Sequence, residues 1–186
     1  MSNQRSIGAI ELSSVAVGYR VQDELLKAAT VEIVIARTIC SGKYLIVYTG
    51  GVSDVRSATD AGLRASGEAI IDHLILPTVH ESVFPALTQS VVLNEKNPQA
   101  LGVVESFSGV SIIAAADAAA KAADVQLFRI HVAMALGGKG FCLMTGTLAD
   151  VTSGVATAAD EVRKRGLLVN DVVIAQPSRE LFAEYV

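Results

Sequence analysis

The sequence of 186 residues lacks several features that would assign it to an obvious class of protein. It has no tryptophan, few aromatic residues and only two cysteines, Cys40 and Cys142. Two cysteines do not make the framework of a disulfide-rich secreted domain, so we predict a reducing, cytoplasmic location. Charged residues make up 18% of the chain, which is lower than the roughly 25% of an average globular protein. We therefore expect part of the surface to be buried in an oligomer.

Long apolar runs and excess positive charge are also missing. The most apolar stretch, residues 112–125, is interrupted by Asp117, Lys121 and Asp124, whereas a membrane-spanning helix needs about 20 predominantly apolar residues. Glu11 ends the first apolar run too early for a signal peptide. The net charge of -4 and the pI near 5.3 argue against nucleic acid as the main partner. We expect neither a membrane nor nucleic acid among the partners.

What the sequence does contain is an internal repeat that covers most of the chain. The two copies are about 94 residues apart at first, and the spacing grows by about two before a Gly-Lys pair. This growth predicts a longer loop in the second copy, beginning near Met134. The matched segments are IGAIELSS (7–14) with LGVVESFS (101–108), DELLKAATVEI (23–33) with DAAAKAADVQL (117–127), and SGKYLIVYTG (41–50) with GGKGFCLMTG (137–146).

The repeat predicts two domains, residues 5–88 and 100–186, joined by a polar linker over residues 89–99. Within each copy, the composition predicts the order β-α-β-β-α-β, with a Ser-Gly turn between the second and third strands. This is an α+β fold of the ferredoxin-like, split βαβ kind, in non-permuted order and with the helices on one face. For the first copy, the predicted strands are 7–15, 31–39, 43–49 and 70–76, and the predicted helices are 19–30, 53–69 (N-capped by Ser53) and a short one after Pro77.

These repeated motifs resemble those of bacterial microcompartment shell domains. The resemblance rests on an opening G-x-I-E-L-x-S strand, on D-x-x-L-K-A-A before a β-branched strand, and on a Gly-Lys turn. All three recur in order in the second copy, and LPTVH at 76–80 also has a place in the pattern. The chain is similar to shell proteins with two tandem domains, and the resemblance implies a homotrimer that forms a pseudohexamer. Such trimers tile into a sheet with other hexagonal shell proteins and have no enzymatic activity.

TICSGK at 38–43 and MALGGK at 134–139 resemble more closely the iron–sulfur-carrying tandem shell proteins of propanediol-utilisation compartments. That resemblance implies that three Cys40 thiolates meet on the threefold axis and hold one [4Fe-4S] cluster per trimer. The cluster would transfer electrons across the shell, with a redox enzyme inside the compartment as a further partner. The implied loop and pore residues are Ile39, Ser41, Gly42, Leu136, Gly137 and Gly138.

The residues alone leave other roles open for the two cysteines. A cluster is usually held by four thiolates, and each chain has one cysteine in this loop, so Cys40 alone favours an ordinary loop thiol. A pore ringed by Cys40 and Ser41 would then pass small polar metabolites without a cluster. A further alternative is a trimeric regulatory protein that binds a small effector between subunits. Cys142, in a predicted strand, is interpreted as a small buried hydrophobe.

The repeat also pairs Lys27 with Lys121, each four residues after an aspartate. The resemblance implies that both lysines, together with His80, contact the neighbouring unit at the shell edge. A lysine suits such an edge because its stem can lie on apolar surface while its ammonium reaches polar groups. From the residues alone, each lysine can also form an ion pair with the aspartate one helical turn earlier, Asp23 or Asp117.

Two further recurring features have structural interpretations. Glu11 and Glu105 recur in equivalent strands, and because no nucleophile and base recur with them, we predict a structural hydrogen-bonding role rather than acid–base catalysis. The Gly-Lys pairs at 42–43 and 138–139 are predicted turns, since a phosphate-binding loop needs G-x-x-x-x-G-K-[ST] between a strand and a helix.

Overall fold

The computed structural model describes residues 6–93, 99–132 and 136–182. Part of the predicted linker and the predicted loop residue Met134 lie outside these described residues. The elements before the linker are β1 (Ser6–Leu12), α1 (Val15–Ala28), β2 (Val31–Ile39), β3 (Lys43–Gly50), α2 (Val52–Ser66), β4 (Ile70–Leu76) and α3 (Val83–Leu87). Those after it are β5 (Ala100–Ser106), α4 (Gly109–Ala122), β6 (Gln126–Val132), β7 (Gly140–Gly146), α5 (Leu148–Lys164) and β8 (Leu168–Ala175).

Both copies form the predicted β-α-β-β-α-β unit. The strand orders are β2-β3-β1-β4 and β6-β7-β5-β8, and every neighbouring pair is antiparallel. Equivalent strands therefore occupy equivalent places in the two sheets. The predicted α+β fold with two tandem domains is confirmed.

Local capping explains where the first helix of each copy begins. Ser14 has extended backbone angles, and its hydroxyl accepts a hydrogen bond from the Val17 amide, so α1 begins at Val15. The prediction began this helix four residues later, because it followed the apolar pattern and missed the cap. Ser108 has the same role for α4.

The predicted N-cap of α2 was wrong. The structure begins this helix at Val52 with Gly51 as the cap, and the first helical hydrogen bond joins the Val55 amide to the Gly51 carbonyl at 2.9 Å. Ser53 lies within the first turn, because the extended backbone of Gly51 already allows the chain to enter the helix.

The core of the first copy lies between its two helices and one face of its sheet. Alternate residues of β1 and β3, including Ile10, Leu12 and Ile46, pack with Val21 and Leu25 of α1 and with buried residues of α2. Because side chains alternate across a strand, one face of the sheet supplies all of these contacts. Both helices therefore lie on the same face, as predicted.

The contacts divide the described chain into two units at a different place from the predicted boundary. Residues 6–79 with 136–138 form the first unit, and residues 80–93, 99–132 and 139–182 form the second. The prediction kept residues up to 88 with the first domain. They belong to the second because α3 packs against β6 and α4, and because Leu93 joins the buried cluster that contains Phe128 and Phe182.

Among the residues described, no helix is both long and apolar enough to cross a membrane.

Candidate functional site

The turn that carries Cys40 joins β2 to β3. Cys40–Gly42 forms a tight three-residue turn in which Ser41 (φ 66°, ψ 26°) and Gly42 (φ 72°) have left-handed backbone angles. Such angles cost a residue with a Cβ some free energy, so Ser41 is held in a strained conformation that suits glycine better. Ile39 is buried at the end of β2, whereas Cys40 is partly exposed. The predicted Ser-Gly turn is confirmed, with the thiol at its start.

The second-copy loop lies against this turn, within the first unit. Gly138 is buried with φ 89°, and a Cβ placed on it would lie 3.3 Å from Lys43 Nζ and 3.9 Å from the Cys40 carbonyl oxygen. Only a residue without a side chain fits there easily. Gly137 is exposed and Leu136 is partly exposed. The predicted loop residues of the two copies therefore come together at one place.

Each Gly-Lys turn directs its lysine to a glutamate of its own copy. Lys43 Nζ lies 2.9 Å from Glu11 Oε1, and Lys139 Nζ lies 2.9 Å from Glu105 Oε1. The Glu11 side chain is fully buried, whereas that of Glu105 is 31% exposed. The predicted structural role of the glutamates is confirmed. The lysine partner was not predicted, although the glutamate and the lysine recur together in the repeat.

A single chain has too few ligands in this region for a cluster. Among the residues that the structure describes, no group of three or more His, Cys, Asp or Glu side chains could hold a metal ion. Neither cysteine is in a disulfide. Thiolate is the usual ligand of iron–sulfur clusters, so Cys40 fits the implied group chemically as one ligand among several that other chains must supply.

Cys142 is a poor candidate for a ligand. It lies in the middle of β7, is fully buried, and burial raises the pKa of its thiol to about 12. A thiol with such a pKa stays protonated, whereas a metal ligand must be a thiolate. The prediction that Cys142 is a buried small hydrophobe is confirmed.

Lys27 and Lys121 both form the ion pair that their spacing predicts. Lys27 pairs with Asp23 on the exposed side of α1, and the hydrogen bond that its ammonium donates to this carboxylate raises the pKa of Lys27. Lys121 Nζ lies 2.5 Å from Asp117 Oδ2, and the Asp117 side chain is only 5% exposed. Both lysine side chains remain exposed, and their edge role stays a prediction.

His80 lies at the start of the segment that leads into α3. Its backbone N–H donates to Asp117 Oδ1 at 2.8 Å, and its Nδ1 shares a 2.8 Å hydrogen bond with the Ser82 hydroxyl. The ring is therefore held close to its own backbone. The sequence analysis did not find the link between His80 and Asp117, because the two residues belong to different copies of the repeat. The predicted edge contact of His80 stays a prediction.

A chain with two successive copies of one α+β unit is a duplicated, tandem-domain protein. The BMC domain matches residues 6–79 and 100–177, which together make up most of the chain. The chain therefore belongs to the family of bacterial microcompartment shell proteins, with two BMC domains in tandem.

Three relatives illustrate the match. The chain is 37% identical over 182 residues to the bacterial microcompartment shell protein PduT of Citrobacter freundii, covering 98% of both proteins. It is 31% identical over 91 residues to the shell protein PduA of the same organism, covering 47% of this chain and 97% of PduA. The crystal structure of a microcompartment protein from Desulfitobacterium hafniense DCB superposes with a TM-score of 0.87 at 40% identity, covering 96% of this chain and 98% of that one. The family is one of structural shell proteins, which agrees with the prediction that the chain is not an enzyme.

Proposed function

We propose that three copies of this chain form a pseudohexamer in a microcompartment shell, and that their Cys40 thiolates bind one [4Fe-4S] cluster on the threefold axis. The cluster would supply one-electron transfer across the shell, with a redox enzyme inside the compartment as the partner. The proposal rests above all on Cys40, which is partly exposed in a tight turn between the partly buried strand β2 and the buried strand β3.

The size of the relatives supports the trimer. PduA, named as a shell protein, aligns with about half of this chain over almost its whole length. One chain here therefore has the content of two such proteins, and three chains supply six BMC domains. Closed cyclic assemblies of identical chains are the common form of soluble oligomers.

The surroundings of Cys40 support a fixed position for its thiol. Gly138 closes against the turn, and Lys43 is anchored by the buried carboxylate of Glu11. A ligand held by a rigid backbone needs little reorganisation when it binds, and hydrogen bonds and charges near a cluster tune its potential. Ile39, Ser41 and Gly42, with residues 136–138, are the residues we assign to this surrounding shell.

The experiment is to measure iron and acid-labile sulfide in protein purified without oxygen, with EPR spectra of the reduced sample. We expect about one cubane cluster for three chains, because each chain supplies one thiolate. Cys40→Ser should lose the signal, whereas the matched control Cys142→Ser should keep it. Protein that takes up no iron during anaerobic reconstitution would overturn the proposal.

A pore without a cluster is the second candidate function. It is favoured by the close packing of Gly138 against the Cys40 turn, because loops of both copies would then line one opening. Such a pore would select small polar metabolites by width and by hydrogen bonds to the backbone. Trimers that form sheets but bind no iron would support this pore, whereas discrete trimers that never form sheets would indicate the effector-binding regulator.

The shell-edge role of Lys27, Lys121 and His80 is tested separately. We expect the double variant Lys27→Ala and Lys121→Ala to lose extended sheets in electron micrographs while its trimers persist. Lys164→Ala is a matched control, since Lys164 also forms an exposed i,i+4 ion pair, with Asp160. If the double variant forms normal sheets, these two lysines do not have the proposed role at the shell edge.

A further inference from the structure

Within the second unit, the chain that follows β4 docks on α4 and β6. The His80 backbone N–H donates to Asp117 Oδ1 at 2.8 Å, and α3 packs against both elements. Val83 and Ala86 of α3 are fully buried. We call residues 80–87 the inner docking segment. It covers the outer side of α4 and the neighbouring strand.

The equivalent side of α1 in the first unit is uncovered. Tyr19 is 63% exposed and Leu26 is also exposed, whereas their counterparts in the repeat, Ile113 and Ala120, are buried. Large apolar side chains exposed together mark an interaction surface.

The carboxylates show the same contrast. Asp23 is 58% exposed, whereas Asp117 is 5% exposed. In both copies the lysine one turn later binds Oδ2, and in the second copy Oδ1 accepts the His80 amide. The first copy therefore has the same acceptor at an open surface.

The edge strands β2 and β6 differ in exposure in the same way as the helices α1 and α4. Leu127, Phe128 and Ile130 of β6 are buried, whereas the middle of β2, residues 33–37, is only partly buried. Both elements that the inner docking segment covers in the second unit are thus more exposed in the first.

The chain that follows β8 is the sequence counterpart of the inner docking segment. HESVF at 80–84 corresponds to SRELF at 178–182. Leu76 and Ile174 pair with equivalent residues of β1 and β5, and each segment begins four residues after them. Phe182 packs on Phe128, with ring centroids 5.9 Å apart, and so anchors this segment to its own unit. Leu181 is 50% exposed, although its counterpart Val83 is fully buried.

We propose that residues 176–182 of one protomer dock on α1 and β2 of the next protomer, as the inner docking segment docks on α4 and β6. The Ser178 backbone N–H donates to Asp23, and Leu181 packs on Tyr19 and Leu26. This inference rests on the proposed trimer and names the surfaces that join its protomers. Each chain has one such segment and one such face, so three chains can close a ring.

The first test is cross-linking between Asp23→Cys and Ser178→Cys, in a Cys40→Ser background, with a short bis-maleimide. We expect covalent dimers and trimers on denaturing gels, because the proposed contact joins Ser178 of one protomer to Asp23 of the next. The matched control pair, Asp117→Cys with His80→Cys, should cross-link within one chain and stay at monomer mass.

Native mass spectrometry before cross-linking separates the two proposals. Trimers that give no covalent products would overturn the docking contact and leave the trimer standing. Monomers at micromolar concentration would overturn the trimer and the docking contact together.

The second test is Leu181→Glu, which places a charge in the proposed apolar contact. We expect the concentration for half dissociation of the trimer to rise at least tenfold, with an unchanged circular dichroism spectrum, because Leu181 is half exposed within the chain. Leu148→Glu is the control, since Leu148 and its counterpart Val52 are exposed in both copies. Leu181→Glu trimers as stable as those of the control would contradict the contact.

Discussion

The two copies have the same strand order but fill their cores differently. In the first, the buried Tyr48 and Thr59 hydroxyls lie 2.6 Å apart, and Thr59 donates to the Val55 carbonyl, so Tyr48 donates to Thr59. Met144 and Val155 are the apolar counterparts in the second copy. Replacing both members of a polar pair together leaves no buried group unsatisfied. The difference shows that duplicated cores can diverge as matched pairs while the backbone stays the same.

The first helices of the two copies, α1 and α4, differ in how much of their surface is buried. α1 is amphipathic, with Gly18, Val21 and Leu25 buried, whereas α4 is buried along most of its length. An all-round apolar helix needs cover on several sides, and the chain itself supplies that cover to α4 through α3. Duplication therefore produced one helix for the interior and one that keeps a polar surface.

The largest expected difference between the copies is in their glutamate–lysine pairs. Lys43→Met should lower the free energy of unfolding by about 3 kcal/mol, because a fully buried carboxylate loses its neutralising cation. Lys139→Met should cost under about 1 kcal/mol, since that pair is partly exposed. Urea denaturation followed by circular dichroism at one protein concentration measures both. Equal losses would contradict the difference in burial.

Strand glycines should give the next largest effect. A Cβ on Gly8 would lie 2.3 Å from the Tyr48 ring, and one on Gly102 would lie 2.6 Å from Val155 and 2.8 Å from the flexible Met144. We expect Gly8→Ala to cost about 3 kcal/mol and Gly102→Ala about 2 kcal/mol, because the added methyl group would overlap the buried, hydrogen-bonded Tyr48 ring more than it would overlap Val155. Thermal denaturation measures the stability of both variants. A larger loss of stability for Gly102→Ala than for Gly8→Ala would contradict the prediction.

A smaller difference between the copies is expected in the pH at which each begins to lose stability. Burial raises the pKa of Tyr48 from 10.0 to about 12 and that of Cys142 from 9.0 to about 12. The unfolded chain releases these protons first, so stability falls as pH rises, beginning near 9 for the second copy and near 10 for the first. Tyr48→Phe should remove about 1 kcal/mol of the loss between pH 8 and pH 11. The urea midpoint measured as a function of pH tests this. If the midpoint of Tyr48→Phe falls as steeply above pH 10 as that of the unsubstituted protein, the prediction is contradicted.

The smallest expected effect is at the helix ion pairs. In protein diluted below the concentration at which the trimer dissociates, Lys27→Gln should leave the urea midpoint unchanged, because within one chain the pair with Asp23 is exposed on both sides. Lys121→Gln should lower the stability by about 1 kcal/mol, since Asp117 is buried. Adding 0.5 M salt should change the difference between the two midpoints only slightly, because salt screens buried ion pairs weakly. Indistinguishable midpoints would show that the cover over Asp117 has no energetic effect.

Much of the fold could be predicted from the sequence. The repeat and the β-branched runs predicted all eight strands in their order, and the spacing of Lys27 and Lys121 predicted their ion pairs. Helix starts were predicted less well, because Ser14 and Gly51 act through backbone angles that an apolar pattern does not report. The sequence predicted two separate loops around Cys40 and Gly138, but it did not predict that Gly138 packs against Lys43, and the role of these loops stays a prediction.

What the sequence determined by itself is the repeated α+β unit, since periodicity and turn residues act over a few neighbouring positions. The tertiary structure decided which copy covers which surface. It assigned residues 80–93 to the second unit, buried Asp117 beneath His80, and buried Glu11 more deeply than Glu105. These outcomes depend on packing between segments far apart in the chain. The apolar, Ala-rich sequence of α4 indicates that this helix is covered, but a local pattern does not specify which distant segment covers it.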